Sequence, residues 1–151
     1  MIEQELEVTL RQPPERAFDF FVDFPNEPAW NPECLKVEKT SDGPVGVGTT
    51  YIGRMRRVGQ IRTELVTLDR PNSFSTVERS RGAGGSFDFL FTPHDEGTRV
   101  TVSMRLQPHG PMRLLEPLMR RMVPKMLADL GENMRRGIDS ADQERQNPSV
   151  A

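Results

Sequence analysis

The chain has a single cysteine in 151 residues, Cys34, so no internal disulfide can staple it. Its two histidines, His94 and His109, stand far apart, and with one thiol they give no spacing for a Cys/His metal site. No metal and no other cofactor is expected. No apolar run approaches the roughly 18 residues that a transmembrane helix needs, so no membrane span is expected. The opening Met1-Ile2-Glu3-Gln4-Glu5-Leu6-Glu7 is acidic and alternating, the reverse of a secretory or transit peptide. With no disulfide framework, this points to a cytoplasmic protein. Neither sign of charge is in excess: 20 basic against 22 acidic residues leave a net charge of −2. A nucleic-acid binder usually shows a basic surplus, and no nucleic-acid partner is expected. Hydrophobic residues make up only 35% and charged ones 28%. The length suits one domain, with a core that is thin or hollow.

What is present is order along the chain. Ile2 to Leu10 sets Ile2, Leu6, Val8 and Leu10 against Glu3, Glu5 and Glu7, the period of a half-buried antiparallel strand. Pro13 and Pro14 stop it. Pro14 also suits the first turn of a helix, with Glu15 near its positive end, and Ala17, Phe18, Phe21 and Val22 follow at helical spacing. Pro25, Pro28 and Pro32 leave room for one more turn around Asn26 to Trp30. Strands are then expected at Leu35–Glu38, from Gly48 through Tyr51 and Met55, across Ile61 to Leu68, at Phe74–Arg79, at Phe87–Phe91 and at Val100–Leu106. Gly82-Ala83-Gly84-Gly85 reads as a loose turn and Pro93 to Gly97 as a hairpin loop. After Gly110-Pro111 the period changes to about 3.6. Leu115, Met119, Met122, Met126, Leu130 and Met134 form one helical stripe, interrupted by Pro117 and Pro124, which predict a bend. The residues from Ser140 to Ala151 read as a polar, frayed tail, leaving residues 1–139 as the domain.

A seven-stranded curved antiparallel sheet and one long amphipathic helix have a simple packing solution, in which the sheet wraps the helix. That order and its motifs resemble the START-like superfamily of helix-grip proteins (SRPBCC, Bet v 1-like), most of all its polyketide cyclase/dehydrase branch. The resemblance is carried by Pro13-Pro14-Glu15-Arg16-Ala17-Phe18 with Asp23, Pro28-Ala29-Trp30-Asn31-Pro32, Val45-Gly46-Val47-Gly48-Thr49, Val66 to Pro71, Gly97-Thr98-Arg99-Val100-Thr101 and the helix after Gly110-Pro111. It spans about residues 1–138. It implies an α+β helix-grip fold with two short helices after strand 1 and a deep apolar cavity between sheet and terminal helix, used for lipids, polyketides or other apolar molecules. Aromatase/cyclase members keep a tyrosine a few residues after the Trp motif; here Leu35-Lys36-Val37 offers none.

Trp30, the only tryptophan, either caps a ligand at the cavity entrance or seals the short helices onto the sheet. Tyr51, the only tyrosine, shares a strand face with Gly53 and Met55, where a glycine leaves room for a guest and a hydroxyl can orient it; the alternative is an outward, half-exposed tyrosine. Phe74, Phe87, Phe89, Phe91, Val102, Met104 and Leu106 are expected to face inward, met by Leu115, Met119, Met122 and Met126 from the helix. Methionine is flexible and polarizable, which suits a pliable pocket as well as an ordinary core. His109, at the hinge before the helix, and Tyr51 are the weak candidates for acid–base work. His94 lies in a charged turn, and Cys34 reads as a small buried thiol. Arg54, Arg56, Arg57 and Arg62 form a solvated face opposite Glu64 and Glu78, unless one turns inward to a ligand anion. Gly82 to Gly85 lacks the Lys-Ser/Thr of a P-loop, and Gly43 to Gly48 precedes a strand, so neither cradles phosphate.

The expected role is binding of a small hydrophobic molecule, for storage, transport or sensing. A cyclase or dehydratase acting on a poly-ketone is the enzymatic alternative, and whether any reaction occurs is left open by these residues. A protein-interaction module is the third reading, and a homodimer is compatible with the sequence.

Overall fold

β1 (Ile2–Leu10) shows the predicted alternation in space: Ile2, Leu6 and Leu10 are buried while the glutamates between them face water. A computed structural model describes residues 1–146 of the protein. After β1 come α1 (Pro14–Val22), a 3₁₀ helix (Phe24–Ala29), β2 (Cys34–Lys39), β3 (Thr50–Met55), β4 (Gly59–Asp69), β5 (Ser73–Arg79), β6 (Ala83–His94) and β7 (Gly97–Pro108). A second 3₁₀ helix (Gly110–Leu115) leads into the long α2 (Glu116–Gln146). The strands form one antiparallel sheet in the order β1-β7-β6-β5-β4-β3-β2. This is the α+β helix-grip architecture, a curved sheet with one long terminal helix.

Directly paired residues of an antiparallel ladder share a face, so the register traces the concave side. One row runs across the whole sheet: Lys39, Tyr51, Thr63, Glu78, Gly85, Leu106 and Ile2. A second contains Phe74, Phe89, Val102 and Leu6. At that second row α1 and the first 3₁₀ helix deliver Phe18, Phe21 and Phe24 onto the sheet. Phe74 stacks on Phe89 at 4.5 Å between ring centroids, and Phe18 meets Phe74 and Phe91 edge-on at 5.7 and 5.4 Å. Such pairs add about 0.5–1.5 kcal/mol each beyond simple burial. This end of the concave face is solid.

Three expectations are corrected. Gly84 and Gly85 are not a loose turn but part of β6, paired with β5 on one side and β7 on the other; glycine has no side chain to carry an alternation, so the ladder is invisible to periodicity. Pro117 does not interrupt α2, because it falls in the first turn, where the missing N–H would be unpaired anyway. The polar segment from Ser140 continues α2 as far as Gln146. Gln12 Nε2 donates to Asp139 at 2.7 Å and Asp142 at 3.1 Å, and Arg16 pairs with Asp142 at 2.7 Å, which holds this last stretch against the start of α1. Residues 147–151 of the expected tail lie outside the described residues.

The stripe that packs α2 is also shifted. Val123, Leu127, Gly131, Met134, Gly137 and Ile138 are its buried residues, while Leu115, Met122 and Met126 of the predicted stripe are exposed. Two glycines set this rotation. Gly131 lies over Leu6 and Val8 of β1, and Gly137 is so close to the first 3₁₀ helix that a Cβ there would stand 2.6 Å from Trp30 Cβ and 2.8 Å from the Ala29 carbonyl oxygen. Gly137→Ala should therefore destabilise the chain. The helix-propensity gain of about 1 kcal/mol is outweighed by an overpacking cost of about 1–3 kcal/mol. A circular-dichroism melt checks this, and a raised melting temperature would contradict the close approach.

Candidate functional site

The concave face has a second half, away from the phenylalanine cluster. Here Met55, Ile61, Glu78, Phe87 and Leu106 all point toward the helix yet remain half-buried. The N-terminal half of α2 lies at the same end, because Arg120 donates to the Met1 carbonyl at 2.8 Å and the Met1 ammonium pairs with Glu116 at 3.1 Å. Those contacts tie one flank of the helix to β1. At about 100° per residue, Met119, Met122 and Met126 lie roughly 100° around the helix from them, on the flank that Gly137 presses onto Trp30 further along. At this end the apolar side chains that pack against the core, Met55, Phe87 and Leu106 from the sheet and Met119 from the helix, are only partly buried, which marks a loosely filled region, the candidate hollow. At Gly85 a Cβ would stand 2.6 Å from the Arg105 carbonyl oxygen, so the close pairing of β6 and β7 here requires glycine.

The hollow has a polar end. The sequence reading sets Glu78 on the solvated outer face, but the register places it inward, between Thr63 and Gly85. Burial, with the charge of Glu27 added, pushes its carboxyl up to about 8, so at neutral pH it is largely protonated and both donates and accepts hydrogen bonds. Glu27, from the first 3₁₀ helix, accepts from Asn31 Nδ2 at 3.0 Å; burial raises its carboxyl against that hydrogen bond and one from Cys34. Cys34 is buried beside it, and burial, with the neighbouring Glu27 charge, drives its thiol up to about 12. A thiol so shifted is a poor nucleophile, consistent with the small buried cysteine expected.

Period two could have found Glu78, since it continues the Phe74, Thr76 set along β5. Glu27 gives no such signal, because a 3₁₀ helix broken by prolines has no readable period.

The structure places the sequence-predicted residues in three groups. Met55, Phe87, Leu106 and Met119 are half-buried and pack against the core, and Leu115, Met122 and Met126 are exposed. Phe74, Phe89, Phe91, Val102 and Met104 are buried in the packed half of the sheet. Trp30 and Tyr51 are buried too, so Tyr51 is not the outward tyrosine of the alternative reading. Trp30 packs edge-on against Phe21 at 5.4 Å, and Tyr51 against Phe24 at 4.9 Å. Among the described residues neither the Trp30 Nε1 nor the Tyr51 hydroxyl finds a hydrogen-bond partner. Burial, followed by the charge of Asp23, raises the Tyr51 hydroxyl further from ionisation.

The remaining candidates stand apart from the hollow's centre. His109 is exposed, with its ring edge 3.2 Å from where a Cβ on Gly84 would sit. Arg54, Arg56, Arg57 and Arg62 are all exposed, so none of them faces inward. His94 sits beside a separate surface hollow of about 430 Å³, formed with Arg11, Glu96, Arg135 and Asp139. Another hollow of about 280 Å³ lies between Pro28–Pro32 and the Asn133–Ser140 stretch of α2. Among the described residues no group of His, Cys, Asp or Glu is arranged to hold a metal ion, and no helix is long and apolar enough to cross a membrane.

A curved antiparallel sheet gripping one long terminal helix is the helix-grip fold. The chain belongs to the polyketide cyclase / dehydrase and lipid transport family, whose model it matches over residues 1–139. Among solved structures, a START superfamily protein from Mycobacterium smegmatis superposes with a TM-score of 0.78 at 14% identity, covering 92% of this chain and 98% of that one. TTHA0849 from Thermus thermophilus gives 0.74 at 19% identity, over 93% and 99%. Ara h 8.0201 gives 0.68 at 18% identity, over 92% and 98%. At these identities the likeness speaks for the fold alone. No curated protein matches the sequence.

Proposed function

We propose that the protein binds a small, mostly apolar molecule in the hollow between α2 and strands β3 to β7, with a carbonyl or hydroxyl of the guest directed at Glu78. One observation carries this reading. The apolar Met55, Ile61, Phe87 and Leu106 of the concave face and Met119 of α2 are only partly buried, so each keeps apolar surface open. Covering that surface with a guest is favourable by about 25 cal/mol per Å² of apolar area. A largely neutral Glu78 suits an uncharged polar group better than a full cation or anion. The family description, which includes lipid transport, supports the same reading.

A fluorescence titration with the neutral dye N-phenyl-1-naphthylamine tests it, followed by native mass spectrometry after incubation with a lipid extract. Saturable uptake of the dye is expected. Ile61→Trp, which fills the floor from a half-buried position, should weaken uptake by about tenfold, the equivalent of about 1.4 kcal/mol, with little change in melting temperature. Absence of uptake, or uptake indifferent to Ile61→Trp, would remove the proposal.

Glu78 also favours a second reading. A carboxylic acid kept protonated near pH 7 is poised as a general acid toward a carbonyl oxygen, as a cyclase or dehydratase acting on a poly-ketone would need. His109 and Tyr51 do not converge with it: one is exposed and the other packs under Phe24. Turnover of a poly-ketone substrate that Glu78→Gln abolishes, while dye uptake persists, would favour the enzyme over the carrier.

A further inference from the structure

Beyond the hollow, α2 and the 3₁₀ helix before it present a second apolar feature on their outer side. Leu114, Leu118, Met122 and Met126 are spaced by four, so they form one continuous ridge along the helix. Their exposures are 84%, 54%, 51% and 49%, high for large aliphatic side chains standing in a row rather than singly. Basic residues flank the row. Arg113, Arg121 and Lys125 are exposed, and among the described residues none of the three makes an ion pair, whereas Arg120 is taken by Glu116 at 2.6 Å. Glu116 is the only acidic residue from Gly110 to Ala128, and it is already engaged by Arg120 and the Met1 ammonium. Asp129 closes the ridge at its far end. The patch is cationic on a chain whose net charge is −2.

We infer that this ridge docks the protein on an anionic lipid surface. Leu114, Leu118 and Met122 enter the headgroup layer, and Arg113, Arg121 and Lys125 pair with lipid phosphates. A helix with an apolar row bordered by cations is the form that lies in a membrane interface without spanning it. Each basic residue near an anionic leaflet adds about 1 kcal/mol of attraction. The charge singles out this occupant: a second copy of the chain would set like-charged arginines against each other. Met122 and Met126 border both ridge and hollow, so docking places the hollow's rim against the bilayer.

The test is vesicle flotation with the full chain. Binding is expected to vesicles of phosphatidylcholine mixed with phosphatidylglycerol, to be weak on phosphatidylcholine alone, and to fall with added salt. Arg121→Glu combined with Lys125→Glu should weaken binding by at least about tenfold, and Leu118→Asp should weaken it similarly. Arg54→Glu with Arg62→Glu, on the outer face of β3 and β4, should leave it unchanged. All these positions are exposed, and N-phenyl-1-naphthylamine uptake by each variant reports that the fold and hollow are intact, which separates failure here from failure of the binding proposal. No flotation, equal loss from the β3–β4 variant, or a dimer in sedimentation analysis that Leu118→Asp converts to monomer would each overturn the inference.

Discussion

Raising the pH from about 6 to about 9 should lower the melting temperature of the native chain, and Glu78→Gln should remove most of that fall. The Glu78 carboxyl is held at about 8 in the folded protein against an ordinary value of 4.5. Between those two values the folded chain keeps a proton that the unfolded chain has released, so the unfolded state binds fewer protons and stability declines as pH rises. The contribution is fully present below 4.5 and is lost through about 8, above which the fold must bury a charge. From pH 6 upward about two pH units remain below the folded value, which at full conversion would give about 3 kcal/mol, and residual water contact at this half-buried side chain reduces the expectation to about 1–2 kcal/mol. Glutamine keeps the shape and cannot ionise. The variant should therefore match the native chain at acid pH and exceed it above about pH 8. Glu27, raised in the same direction by burial, leaves a smaller residual slope. Parallel melting curves for the two proteins across this range would show that Glu78 sits in water and does not line a hollow.

The elements that could be read from residues are those where side-chain identity repeats with the backbone. β1 and β7 alternate cleanly, and their register, Ile2 opposite Leu106 through Leu10 opposite Thr98, follows from that alternation. β6 was legible only from Phe87 onward, because its first residues are alanine and glycine. The helix was legible but its rotation was not. Leu115, Met122 and Met126 are as hydrophobic as Val123 and Leu127, and what decides which row is buried is the close approach of Gly131 to β1 and of Gly137 to Trp30. Small residues carry no hydrophobic signal. The site divides in the same way. Met55, Phe87 and Leu106 follow from strand parity, and parity also contained Glu78, which its charge concealed. Glu27 and its pairing with Asn31 depend on a proline-broken turn folding back over β2, a tertiary event with no local pattern.

Phe74→Ala and Met122→Ala should separate the packed half of the concave face from the open half. Phe74 is fully buried, with four aromatic neighbours within 6 Å between centroids: Phe18, Phe24, Phe89 and Phe91. Its truncation leaves a void that the rings around it cannot refill, at a cost of about 3–5 kcal/mol, seen as a loss of roughly 10 °C or more in melting temperature. Met122 is the same class of residue by hydrophobicity and lies on the stripe that periodicity predicts to be core. Exposed on the helix flank, it should cost less than about 0.5 kcal/mol on truncation, while N-phenyl-1-naphthylamine affinity falls by about threefold because the rim loses contact area. The contrast is what a sheet packed at one end and hollow at the other requires. If Met122→Ala instead costs about 2 kcal/mol or more and leaves dye uptake unchanged, the helix flank is packed against the sheet, and the hollow has no room for a guest.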